Sequence, residues 1–348
     1  MNRGLLAVPV ILLALLAALW SGLSRSGWNL PLSDAAGQHG HFMVNCFLAS
    51  LIFLERAVTM RQWWIRLLPL GNAVAVVPFL MGENVVAQWL LIAGSTGFLL
   101  LCCWFVYCYH ELYYYVFVAA AASLVAGNVL LLRTSSYPSA AGWWICFLLF
   151  TIVAERLELS KFLPRTALQK GALLALLALV PLALALPAPW ADRLLSFALA
   201  ATGCWLLRFD MARRALRSSA AHRYSAVLLL TGFGWLIVVA ALLVFKTRIP
   251  LGYDAVLHGF FIGFVFSMIF AHAPIILPAL LKKRIAVYHR WLYVPFALLQ
   301  ASLLLRICAD VCGEPLLRKW AASGNGLAIV LFAASVAIRV RRQLRSKA

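Results

Sequence analysis

The sequence predicts an all-α, polytopic membrane protein with twelve transmembrane helices, and three observations carry that prediction. Of the 348 residues, 64% are hydrophobic and 12% charged, where a soluble domain carries about 45–50% and about 25%; the mean hydropathy is +0.93. Apolar runs of about 20 residues, the length that crosses a bilayer, recur from one end to the other. Lys and Arg gather in alternate connections, the pattern of loops that stay on the cytoplasmic side. Together these exclude a soluble enzyme, a disordered chain and a nucleic-acid-binding domain. The net charge of +19 therefore reports cytoplasmic loops and implies no nucleic-acid partner.

The twelve runs cover residues 4–23, 39–60, 64–82, 85–108, 112–132, 138–157, 171–188, 191–209, 224–245, 254–276, 290–309 and 317–338. The first has the look of a secretory signal but lacks a clear A-x-A cleavage site, so it counts as a helix. Connections are short, which makes residues 1–348 a single transmembrane domain with membrane lipids as its surroundings. With the N-terminus inside, 22 of the 30 basic residues fall on the cytoplasmic side. They are Arg3; Arg56, Arg61 and Arg66; Arg156, Lys161, Arg165 and Lys170; Arg208, Arg213, Arg214, Arg217 and Arg223; Lys282, Lys283, Arg284 and Arg290; and Arg339, Arg341, Arg342, Arg345 and Lys347. Both termini are then cytoplasmic, as expected for a multi-pass protein of a bacterial inner membrane.

The eight cysteines show no C-x-x-C pair and no zinc spacing. Cys46, Cys102, Cys103, Cys108, Cys146 and Cys204 lie in apolar runs and read as small packing residues; Cys308 and Cys312 approach a loop, and no disulfide is expected there.

An internal repeat runs beneath the pattern. A shift of 100 residues lays helix 2 on helix 6, matching Cys46-Phe47-Leu48 with Cys146-Phe147-Leu148 and Glu55-Arg56 with Glu155-Arg156. A shift of 101 sets Cys103-Trp104 on Cys204-Trp205. A shift of 217 lays helix 2 on helix 10 with fewer identities: Phe47 meets Phe264, Ile52 meets Ile269, His41 meets His258 and Glu55 meets His272. The matches suggest three four-helix units about a pseudo-threefold axis, roughly 30–135, 136–246 and 247–348 with the first helix wrapping around; chance matching among Leu- and Phe-rich helices is the alternative.

Histidines in membrane spans are costly and mark candidate sites. His222 and His289 sit beside arginines in loops, and His110 ends helix 4. His39 and His41 open helix 2, His258 lies near the outer end of helix 10, and His272 follows about 21 Å further along. Imidazoles from two helices at one depth are what bis-imidazole haem ligation requires. His39 and His41 differ by about 200° around a helix, so one is a ligand and the other a neighbouring or copper-binding group. A hydrogen-bonded structural histidine and a proton relay are the competing readings. Glu55, Glu155 and His272 are repeat-equivalent and could form an axial polar cluster, with ordinary ion pairing to the adjacent arginines as the simpler account. Pro274 and Pro278 are expected to kink or end helix 10.

The run His39-Gly40-His41-Phe42-Met43 resembles the H-G-x-x-M that opens helix 2 in the catalytic subunit of haem–copper oxidases and nitric oxide reductases. Read as H-x-H-x-M, it looks like the NnrS family of haem- and copper-containing membrane proteins linked to nitric oxide stress, as does Leu257-His258-Gly259-Phe260-Phe261-Ile262-Gly263. The oxidase resemblance implies a low-spin haem held between helices 2 and 10. It also implies a basic corner for the propionates, here Arg306 with Arg318 and Lys319. Helix 6 carries no histidine and helix 7 is almost pure Leu and Ala, so the copper ligands of the oxidases are missing; the glutamate of the NnrS H-x-H-E-M pattern is replaced by Phe42.

The expectation is an NnrS-like haem b protein, with copper as a further candidate cofactor. Cofactor binding falls to His39, His41, His258 and Arg306, and metal binding to His39, His41, His258 and His272. Its partners would be haem and a redox partner or quinol, and no complete reactive centre is visible. The alternative is a secondary transporter working through the polar groups of helices 2, 6 and 10. Reporter fusions at Ser136 and Gly313 should read as external and one at Ala220 as cytoplasmic; a cytoplasmic signal at Ser136 reverses the orientation.

Overall fold

The computed structural model describes residues 7–31, 33–60, 62–281, 283 and 285–345. Arg3, Arg61, Lys282, Arg284 and Lys347 of the basic pattern lie outside the described residues. Everything described is helix or connection, with no strand among the described residues. The long helices are α1 (Val8–Arg25), α2 (His41–Val58), α3 (Trp63–Leu80), α4 (Asn84–Tyr109), α5 (Leu112–Thr134), α6 (Tyr137–Leu159), α7 (Ala167–Leu184), α8 (Trp190–Phe209), α9 (Ala220–Phe245), α10 (Gly252–Leu281), α11 (Arg290–Cys312) and α12 (Pro315–Arg345). Among the described residues, eleven of these are long and apolar enough to cross a membrane. The remaining one, α8, has 20 residues but carries Asp192, Arg193 and Arg208.

Local chemistry explains the boundaries. Thr166 and Gln169 form a reciprocal capping box at the start of α7, satisfying amide groups that a helix start leaves without carbonyl partners. His110 and Ser135 end α4 and α5 in the left-handed region, and Gly313 does so for α11 at φ 71°. α10 continues through Pro274 and Pro278 to Leu281, so neither proline ends it as the sequence suggested.

The chain divides into two compact units, Met1–Leu159 with α1–α6 and Ser160–Ala348 with α7–α12. The boundary falls inside the middle sequence repeat. In the first unit α5 packs along both α4 and α6, and α1 lies against the start of α2. Tyr137 and Trp144 of α6 flank His41 at one end of α2, while Glu155 and Glu158 meet Arg56 at the other. α2 and α6, matched by the 100-residue shift, therefore run parallel as neighbours. In the second unit α9 packs on α8 and α10, and α11 on α12.

Two stretches depart from α geometry. His41–Ala49 in α2 and Gly259–Phe266 in α10 are π-helical, a form that is rare and concentrated at functional sites. The 217-residue shift superimposes these stretches, Phe42 on Gly259 and Ala49 on Phe266. α6, matched to α2 by more identities, is regular throughout. Each wide stretch receives a side-chain hydrogen bond at a backbone carbonyl: the Asn72 amide donates to Asn45 O at 2.8 Å, and the Ser267 hydroxyl to Gly263 O at 2.6 Å. Inside a bilayer no water replaces such donors.

Glycines admit the close contacts. Gly94 makes room for Asn72, and Gly263 lies against the face of the Trp235 indole, whose Nε1 donates to Gln300 at 2.7 Å. A Cβ at Gly263 would overlap that rigid ring. Cys46, Cys102 and Cys146 are buried packing groups as expected. Cys103, Cys108 and Cys204 correct that reading, because they lie on the outside of the chain, as do Cys308 and Cys312. Gly263→Val should lower stability by about 1–3 kcal/mol through overpacking, whereas Gly234→Val, where a Cβ meets open space, should be close to neutral. Thermal unfolding in detergent measures both.

Candidate functional site: histidines at two π-helical segments

His39 stands just before the π-helical stretch of α2 and turns toward α1. Its Nδ1 lies 2.9 Å from Ala18 O and 3.3 Å from Ser21 Oγ. A carbonyl only accepts, so this contact places the imidazole proton on Nδ1 and the lone pair on Nε2. Gly22 lets the ring sit against α1, since a Cβ there would come within 2.8 Å of His39 Cε1. His258, immediately before the π-helical stretch of α10, repeats the arrangement in the other unit. Its Nδ1 is 2.9 Å from Asp254 O and 3.3 Å from the Asp254 carboxylate. Both side chains are half-buried. A protonated Nδ1 held by a carbonyl or carboxylate is the usual support behind an imidazole that ligates a metal through Nε2.

His41 is different. It is 1% exposed, stacks on Phe79 with centroids 4.5 Å apart, and has Tyr137 and Trp144 rings at 5.5 and 5.8 Å. Neither ring nitrogen has a hydrogen-bond partner among the described residues, and the same holds for the buried side-chain amide of Asn45 one turn on. An imidazole enclosed in this way has no open side for a macrocycle. His272 is buried further along α10.

Around His258, Asp254 acts as the hub of a largely buried network. Its Oδ2 accepts from Arg306 Nη2 at 2.8 Å and Nε at 3.2 Å, and Arg318 lies 3.2 Å from its Oδ1. Arg318 also reaches Asp310, which is fully buried, at 3.4 Å. Two arginines thus face two carboxylates, joining the starts of α10 and α12 to the end of α11. Arg306 is engaged by a carboxylate of the chain itself, where the resemblance supplied a propionate. Asp254 and Asp310 escaped the sequence reading, which followed basic residues and histidines. Their signal was available, because lone acids inside apolar runs require partners and Asp254 stands four residues before His258.

A second charged cluster closes the far end of α2 and α6. Arg56 Nη1 donates to Glu158 at 2.6 Å, Arg56 Nη2 lies 3.7 Å from Glu155, and the guanidinium covers the Phe117 ring at 4.2 Å. The sequence reading anticipated ion pairing there but missed Glu158.

Haem is the group the resemblance implies, and the half-buried His39 and His258, each with Nδ1 occupied by an acceptor, fit the role of iron ligand. Copper fares otherwise. No three His, Cys, Asp or Glu side chains come together as a metal-holding group among the described residues, so no copper site is assigned.

An all-helical chain with this many long apolar helices is a multi-pass membrane protein. It belongs to the family described as domain of unknown function (DUF8744), whose pattern covers residues 3–341. No curated protein and no solved structure matches the chain.

Removing one partner of a buried ion pair leaves an uncompensated charge, at a cost of about 3–5 kcal/mol. Arg306→Leu and Asp254→Leu should each destabilise the protein by roughly that amount. Arg193→Leu, which removes only an exposed charge lying over the Trp190 ring, should cost under about 1 kcal/mol. Unfolding midpoints in detergent compare the three.

Proposed function

We propose that the chain is a twelve-helix protein of the bacterial inner membrane, with α8 as one of the spans and both termini cytoplasmic. In this reading it binds haem b and is NnrS-like in role, sensing or handling nitric oxide or metal stress, or carrying electrons. His39 and His258 are each an imidazole offered to haem iron. The observation that carries the reading is their shared state: each stands at the edge of a π-helical stretch, and each has Nδ1 2.9 Å from a backbone carbonyl. That contact sets the proton on Nδ1, the tautomer of an imidazole that ligates a metal through Nε2. The π-helical geometry adds support, since it gathers at functional sites. Haem supplies a one-electron couple and, where an imidazole leaves, an iron position for a diatomic gas. The chain's part is to hold the imidazoles and exclude water. The nitric oxide assignment rests on the resemblance of His39-Gly40-His41-Phe42-Met43.

A second reading, secondary transport, is favoured by one observation, the buried Arg56–Glu155–Glu158 cluster between parallel helices. Reduced-minus-oxidised spectra of protein made under haem-replete conditions separate the two. The haem reading expects a low-spin haem b signal in the wild type. His39→Ala and His258→Ala should each broaden it toward high spin or abolish it, while His41→Ala and Glu155→Gln should leave it unchanged. Wild-type protein without haem removes this reading and promotes the transporter.

A further inference from the structure

We propose that Glu155 is a proton-binding carboxyl group, and that the cluster it forms with Arg56, Glu158 and Thr151 is a small hydrated site at which the protein takes up and releases one proton. The site lies at the end of α2 and α6 remote from His41 and does not depend on haem.

The argument begins with charge. Glu55, Glu155 and Glu158 act electrostatically on one another and on Arg56, and Arg156 acts on Glu155. Three carboxylates thus share two guanidinium groups. Unequal numbers of charges in an apolar surrounding are costly, and two carboxylates near one another resist ionising together. One proton is the smallest charge that balances the set.

Geometry selects which carboxyl holds it. Arg56 is bonded to Glu158 at 2.6 Å, a short charge-assisted contact, while Glu155 stands at 3.7 Å, beyond hydrogen-bond range. The Glu158 side chain is 30% exposed and that of Glu155 12%. Glu158 is therefore the hydrogen-bonded partner of Arg56. Glu155, more enclosed and less well paired than Glu158, is the group we assign the proton.

Two further atoms point to a small polar ligand. Thr151 is fully buried, and its Oγ1 has no hydrogen-bond partner among the described residues. It stands four residues before Glu155, on the same face of α6. Arg56 is 9% exposed, and its Nε is also without a partner. A buried guanidinium donor near Glu155 and a buried hydroxyl one turn before it on the same helix face are groups that a bound water would satisfy, and a water next to Glu155 is the carrier for its proton. Other titratable groups facing the cluster are Cys102 from α4 and Tyr113 and Tyr114 from α5, with Glu111 just before α5 acting on Tyr113. Of these, Glu111 is exposed.

The test is infrared difference spectroscopy of the full-length protein in lipid vesicles, titrated with pH. Wild type should show the C=O band of one carboxylic acid at neutral pH, lost in alkaline buffer. Glu155→Gln should delete the band. Glu158→Gln should release Arg56 to Glu155, keep the band and move its midpoint down by about one to two pH units, because a nearby opposite charge favours the ionised form. Thr151→Val, which preserves shape and keeps the helix even if the glutamate variants do not fold, should shift the band position by altering the hydrogen bond to the carbonyl. A wild type with no such band at neutral pH, a band that survives Glu155→Gln, or a band unmoved by Thr151→Val overturns the proposal.

Discussion

Inside a hydrocarbon surround a polar group has no solvent to fall back on, so each one must be partnered by the chain or by something the chain has taken in. That constraint organises both units. In the second, Asp254 accepts from Arg306 and Arg318 and steadies His258, so one carboxylate fixes three helix ends and the orientation of an imidazole at once. In the first, Asn72 supplies a carbonyl of the π-helical stretch and the hydroxyl of Ser50 from a single amide. Trp144 donates to Asn128 in the same unit, tying α6 to α5. The exceptions acquire meaning from the rule: His41, Asn45 and Thr151 are buried with side-chain polar atoms that no described residue satisfies.

The two π-helical stretches serve the same economy. Lengthening each hydrogen-bond span from i→i+4 to i→i+5 weakens a helix's own ladder and leaves a carbonyl open to a further donor. In α2 the donor is Asn72 from another helix; in α10 it is Ser267 one turn on, itself contacted by Gln300. A histidine with a pre-set tautomer stands beside each. The two units have thus arrived at related local solutions with different partners, Ala18 O for His39 and Asp254 for His258.

Much of this was legible in the sequence because hydrophobic length is a strong signal. Each of the twelve expected ranges falls on a helix, with end errors of up to seven residues, the largest where α12 runs on to Arg345. α8 shows where the signal thins, since its three charges spoil the apolar count although the helix forms. π-helical geometry is invisible to periodicity, and nothing in the sequence reading anticipated it, although the two π-helical stretches fall at positions that the 217-residue shift aligns. The site was half legible. Histidines stand out in apolar runs, but what each one leans on is tertiary, so sequence favoured His39 over His41 only slightly as the ligand of helix 2. Only packing separates a half-buried ring on Ala18 O from one enclosed by Phe79, Tyr137 and Trp144. Of the two outcomes expected of Pro274 and Pro278, a kink or an end, the end does not occur, since membrane helices tolerate proline where the freed backbone groups find other partners.

The pairing of α8 with α9 bears on how the chain is assembled. Both carboxylate oxygens of Asp192, near the start of α8, lie 2.7 Å from Lys246 at the end of α9, and Ser196 donates to Ala240 O. Alone, α8 presents an unneutralised acid to lipid. Joined to α9, it presents a neutral pair and loses a stray hydroxyl. Asp192 and Lys246 neutralise one another only when the two helices are side by side, so α8 and α9 hold their places as one hairpin rather than as two independent rods.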